Sequence, residues 1–129
     1  MPAKPKSSVR ARKAKGAGGK ELARLRKIIS AINGSFEKLS HGEPTWFVGP
    51  KGRVFAIFDN HHHGAEHISV YFPTPLEVQQ ALIASNPDRY WSPPYVGKSG
   101  WTAVILSRDP DWKSVERLAR ESFVRIAAR

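Results

Sequence analysis

The 129-residue sequence has no cysteine. That absence excludes disulfides, thiolate metal centres and cysteine nucleophiles. No run of about 18 apolar residues occurs, so no segment reads as a membrane-spanning helix. The N-terminus lacks the apolar core of a secretion signal. A reducing cytoplasm fits these absences. Acidic residues are missing from the first 20 positions, which hold Lys4, Lys6, Arg10, Arg12, Lys13, Lys15 and Lys20. That end therefore carries +7 of a formal net charge of +10.

The charge asymmetry divides the chain. Residues 1–20 consist mostly of Lys, Arg, Ala, Gly, Pro and Ser, with Val9 the one β-branched apolar residue. Such a stretch cannot bury enough surface to offset its conformational entropy, so it reads as a disordered basic tail. Its physical consequence is attraction to polyanions, because each phosphate neutralised releases condensed counterions. A solubilising leader is the bland alternative. Residues 21–129 carry the apolar periodicity of one folded domain.

Three helices and five strands are expected. Leu22, Leu25, Ile28, Ile29 and Ile32 recur at helical spacing over Lys20 to Ile32, and Asn33-Gly34 ends that helix. Ser35 to Glu43 leads into the sheet. Thr45 to Val48 and Arg53 to Asp59 read as strands joined by the turn Gly49-Pro50-Lys51-Gly52, and His67 to Phe72 as a third strand. Thr74-Pro75-Leu76-Glu77 has the form of a helix start with an N-cap hydroxyl and a capping-box Glu. Val78, Ala81 and Leu82 give that helix its buried side, and Asn86-Pro87 ends it. Arg89 to Tyr95 is extended, with Pro93-Pro94 barring it from the centre of a sheet. Gly97-Lys98-Ser99-Gly100 is a turn before a last strand, Trp101 to Leu106. Asp109-Pro110 caps the final helix, whose inner face is Trp112, Val115, Leu118, Ala119, Ser122 and Ile126. The order α-β-β-β-α-β-β-α, with short turns between strands, gives a single α+β domain. Its sheet is expected to be antiparallel with the helices on one face.

Three separated motifs resemble the MmcQ/YjbR-like family. His41-Gly42-Glu43-Pro44-Thr45-Trp46-Phe47-Val48 with Lys51 and Val54-Phe55-Ala56 is similar to its first hairpin. Pro94-Tyr95-Val96-Gly97-Lys98-Ser99-Gly100-Trp101 and Glu121-Ser122-Phe123 resemble its later signatures. The resemblance covers residues 21–129. It implies a CyaY-like or secretion-chaperone-like α+β fold and DNA binding through two hairpin wings. The His61-His62-His63 turn departs from the family pattern.

Candidate binding residues follow from exposure and charge. Lys51, between Pro50 and Gly52, and Lys98, between Gly97 and Ser99, sit on turns where a side chain can reach a phosphate. Arg53 and Ser99 stand beside them, and Arg10, Arg12, Lys13 and Lys15 extend the basic set into the tail. Lysine is also a common solvent-facing turn residue, so exposure alone decides nothing. No helix carries a base-contacting set, so backbone and shape recognition is expected. Gly97-Lys98-Ser99 echoes a phosphate loop, but Ser92 stands where that loop needs Gly, and a strand follows rather than a helix.

No catalytic, cofactor or built metal site is legible. His61, His62, His63 and His67 crowd one turn with Glu66, yet neighbouring side chains splay apart, so adventitious metal binding is the simpler reading. Their protonation near pH 6 would add positive charge there. His41 near Glu43 lacks a nucleophile partner, and a capping or strand-edge hydrogen bond accounts for it. A concave pocket holding His41 with a perturbed acid would revive a catalytic reading. Phe55 and Trp101 read as core. Trp46, Trp91 and Tyr95 could form an exposed apolar patch, the basis of an alternative protein-interaction or chaperone-like adaptor. The sequence thus favours a non-enzymatic, monomeric binder of DNA, with RNA in the same chemical class.

Overall fold

The computed structural model describes residues 19–60 and 67–129. The expected tail, apart from Gly19 and Lys20, and the His61–Glu66 turn lie outside these residues. Helix α1 spans Gly19–Ser30, followed by strands β1 (Ser35–Ser40), β2 (Glu43–Val48), β3 (Val54–Asn60) and β4 (Ile68–Phe72). Helix α2 (Leu76–Ser85) precedes β5 (Tyr90–Trp91), a 3-10 turn (Val96–Ser99) and β6 (Thr102–Ile105), and α3 (Trp112–Ala127) closes the domain. The six strands form one antiparallel sheet in the order β1-β2-β3-β4-β6-β5. The domain is α+β, as expected.

Strand β1 is the addition to the expected order. It pairs with β2 through a tight hairpin at His41-Gly42, whose φ values of +54° and +83° match a two-residue turn with the twist of its strands. The strand lies at the sheet edge, and Phe36, Glu37, Lys38 and Leu39 are all exposed. At the other edge, β5 is two residues long and is followed by Pro93-Pro94, as the sequence required.

Register decides what each face carries. Phe58, Val70, Val104 and Tyr90 pair in one row across β3, β4, β6 and β5, and all four are core residues. Leu25 and Ile29 of α1 and Val115, Ala119 and Ile126 of α3 pack onto the same core. A bulge helps here. Trp46 pairs with Ala56 but Phe47 with Val54, leaving Phe55 as the extra residue. Phe55 is fully buried and meets Phe123 of α3 edge-to-face, with ring centroids 5.2 Å apart. The neighbouring row is Thr45, Ile57, Tyr71, Ala103 and Trp91. Ala103 is small enough for Tyr71 and Trp91 to meet across it, edge-to-face at 6.0 Å.

Two helix starts differ from expectation. Thr74 does not cap α2. Its buried hydroxyl donates to the Gly100 carbonyl (2.5 Å) and lies 2.7 Å from Thr102 Oγ1. The buried side of α2 is Gln79, with Leu82 and Ile83 partly buried, while Val78 and Ala81 are exposed. The cap of α3 is Asp111 rather than Asp109-Pro110, and it accepts from the Lys113 amide (3.1 Å) and the Ser114 hydroxyl (2.8 Å).

Candidate functional site

The β2–β3 hairpin ends in a basic tip. Gly49 takes φ +78°, and the Gly52 amide donates to the Gly49 carbonyl at 3.3 Å. A Cβ on Gly52 would overlap the Val48 carbonyl oxygen, so the turn needs glycine there. The Gly49 amide donates to the Gly34 carbonyl (2.7 Å), which fixes the tip to the α1–β1 connection. Lys51 and Arg53 are exposed on this base. Lys38 joins them. Its Nζ donates to the Pro50 carbonyl (2.9 Å) and lies over the Phe47 ring, 4.6 Å from the centroid.

Lys98 sits on a different structure. The 3-10 turn Val96–Ser99 is docked onto α2 rather than projecting as a second hairpin tip. Gln79 Nε2 donates to the Gly97 carbonyl (2.9 Å) and the Trp101 carbonyl (2.5 Å). A Cβ on Gly97 would overlap the Ser92 hydroxyl, and Gly100, at φ +103°, lies close against Thr74. Lys98 and Ser99 remain exposed on the outside of this anchored turn.

Sheet register brings the two places to one end. Strand β3 leaves the tip at Val54, antiparallel β4 returns to that end at Phe72, and Phe72 pairs with Thr102, the first residue of β6. Lys51 and Arg53 are thus two strand steps from the Lys98 turn, roughly 10 Å across the sheet. Among the described residues, none of these three cations takes part in an ion pair. Arg10, Arg12, Lys13 and Lys15 lie outside the described residues.

A second feature escaped the sequence reading. The sheet face opposite α1 and α3 carries a cavity of about 440 Å³. Phe47, Val54 and Ile57 line it from the sheet, and Pro94, Tyr95 and Val96 from the segment before the 3-10 turn. At its far end stand His41, Glu43, Asp59 and Tyr71. Glu43 Oε2 accepts from the Asn60 amide at 3.0 Å. Asp59 and Tyr71 are both buried, and the Tyr71 hydroxyl lies beside the Asp59 carboxylate. Burial first, then the charge and acceptor oxygen of Asp59, then the Glu43 charge hold the Tyr71 phenol well above its ordinary range. The hydroxyl therefore keeps its proton. His41 does face an acidic pocket, but the perturbed group there is a phenol displaced away from neutrality. The signal in the sequence was Asp59, a carboxylate two residues after Ile57 and on the same face of an otherwise apolar strand.

The aromatic patch does not form. Trp46 is buried in the core, and Trp91 is half-buried, with Nε1 donating to the Ser69 hydroxyl at 3.1 Å. Tyr95 is exposed, at 79%. Phe55 is core as expected, and Trp101 is half-buried.

Residues 30–124 match the family model described as YjbR. The chain belongs to the YjbR family. The crystal structure of Deinococcus radiodurans protein DR2400, a DUF419 domain, superposes with a TM-score of 0.70 at 18% identity, covering 82% of this chain and 78% of that one. That likeness is one of fold. No curated protein matches. The YjbR match takes in the hairpin tip, the 3-10 turn and the pocket, and leaves the basic N-terminal segment outside.

Proposed function

We propose that this YjbR domain binds nucleic acid, with duplex DNA as the first candidate, through the hairpin end of its sheet. The observation that carries the reading is the placement of Lys51, Arg53 and Lys98, exposed and outside ion pairs, at that one end. Both supporting turns are anchored, one to the α1–β1 connection and one to Gln79, so little ordering entropy is lost when they meet a phosphate. Lys38 adds a fourth cation beside the tip. The arrangement suits backbone contact without base readout. Residues 1–18 would add long-range attraction.

Duplex binding by the full chain should weaken with salt on a log–log line, each phosphate contact contributing a slope of about 0.9. K51E with K98E should lower both affinity and slope, and removal of residues 1–18 should lower the slope further. The proposal fails if the double reversal leaves affinity and slope unchanged. Single-stranded DNA and RNA duplexes, measured alongside, distinguish the polyanion preferred.

A further inference from the structure

We infer that the cavity on the second sheet face receives an unpaired nucleobase from the strand whose phosphates lie on the basic sheet end. The inference rests on the nucleic-acid reading above. It adds a preferred substrate: DNA with at least one base out of the duplex stack, as at a single-stranded overhang.

Three observations support it. First, the cavity lies between the elements that carry the cations. Lys38 Nζ is 4.6 Å from the centroid of the Phe47 ring, which forms part of the wall. Arg53 adjoins Val54, and Lys98 follows Val96 by two positions, Val54 and Val96 both lining the cavity. A phosphate held at this end therefore has its own base beside the cavity. Second, the walls suit the faces of a base. Phe47, Val54 and Ile57 on the sheet and Pro94, Tyr95 and Val96 opposite are aromatic or apolar, and all six keep some exposure. Bases of every identity stack on such surfaces. The volume of about 440 Å³ falls within the range that encloses small ligands, and a duplex cannot enter it, so the base arrives unpaired. Third, both walls are held from outside the cavity. The Gly49 amide ties the β2–β3 tip to the Gly34 carbonyl, and Gln79 anchors the turn that follows Tyr95. Little ordering entropy is lost when a base enters.

The geometry also assigns roles. Phosphates lie on Lys51, Arg53 and Lys98, with Lys38 at the cavity wall. The base lies on Phe47 and Ile57, under Tyr95. Tyr95 takes φ +66°, a backbone conformation that L-residues rarely adopt, and its side chain is 79% exposed. Stacking is indifferent to which base is present, so the domain recognises an unpaired state and not a sequence.

The test uses three hairpin DNAs: one blunt, one with a short single-stranded overhang, and one with the same overhang made of abasic residues. The last two carry the same phosphates and differ only in bases. Each is titrated with the full chain and followed by fluorescence anisotropy and amide chemical shifts. The overhang with bases should bind about tenfold more tightly than the abasic one. The shifts that distinguish those two complexes should centre on Ile57, Tyr95 and Val96. Tyr95→Ala should remove most of the difference while leaving affinity for the blunt hairpin unchanged. Val96→Trp, which fills the cavity and spares every cation, should do the same by another route. The inference is overturned if the two overhangs bind alike, or if the distinguishing shifts centre elsewhere. It is equally overturned if dAMP alone binds as tightly as the overhang hairpin, or if both variants melt like the parent and keep the full difference. Equal binding of the overhangs leaves the phosphate contacts standing, since those are read from K51E with K98E and the salt slope. Failure of every hairpin to bind at low salt overturns both.

Discussion

Single residues show how local chemistry is redirected by distant partners. Thr74-Pro75-Leu76-Glu77 has the composition of a helix cap, yet the Thr74 hydroxyl is taken by Gly100 and Thr102, more than twenty residues away. Gln79 reads as a polar helix residue and is the buried clamp of the 3-10 turn. Neither role was legible, because each depends on which carbonyl a different element delivers. Tyr71 is the same case on the opposite face. Its phenol is held above the ordinary value of 10.0, so the folded state favours the neutral form. That contribution is complete below about pH 10 and is lost as pH rises beyond it, when the unfolded chain ionises and the folded one does not. Tyr71→Phe removes this titration and keeps the shape of the ring. The variant's stability should fall less steeply than the parent's above pH 10, as urea unfolding at a series of pH values would show.

Elements were legible where their own residues carry the pattern. The apolar stripes of α1 and α3 and the alternation in β4 placed those segments and most of the core. Strand β1 was missed for a physical reason. Phe36 and Leu39 fall on opposite faces of it, neither is buried, and Glu37 and Lys38 lie between them. An edge strand with no buried face has no alternation to read. The turn before β6 is a different case. Gly97-Lys98-Ser99-Gly100 has turn composition, but whether a turn projects or docks depends on what lies beneath it, here α2. The α3 start gives a prediction of its own. The Ser114 hydroxyl, then the Lys113 and Ser114 amides, with Arg89 nearby, hold the Asp111 carboxyl below its usual 3.8. Its stabilisation is present above that value and lost as pH falls through the lower folded one. Asp111→Asn keeps a capping oxygen but cannot titrate, so its melting temperature should vary less between pH 4 and pH 2 than the parent's, measured by circular dichroism.

At the scale of the whole molecule, the candidate interface was partly visible in the sequence and the pocket hardly at all. Lys51, Arg53 and Lys98 were identified by their glycine neighbours, but only the register of β3, β4 and β6 puts them on one end. The pocket needs three strands and the segment at Tyr95 to exist. Its residues are scattered over more than fifty positions with no motif among them. Phosphate contacts at the exposed sheet end would weaken steeply as ionic strength rises.

The exposed outer edge of β1 bears on how copies of this protein meet one another. Two such edges can join only around a two-fold axis normal to the sheet, which keeps each side chain on its own face. The registers that pair the most residues then set Glu37 against Glu37, or Lys38 against Lys38. Lys38 facing Lys38 disfavours one register, and in the other each Glu37 is already engaged by Arg26 at 2.7 Å, so among the described residues the strand's own charges guard this edge. With Glu37 and Lys38 both replaced by Thr, Phe36 and Leu39 would flank an uncharged strand of high β-propensity. Sedimentation velocity should then show association that grows with concentration, where the parent stays a single species.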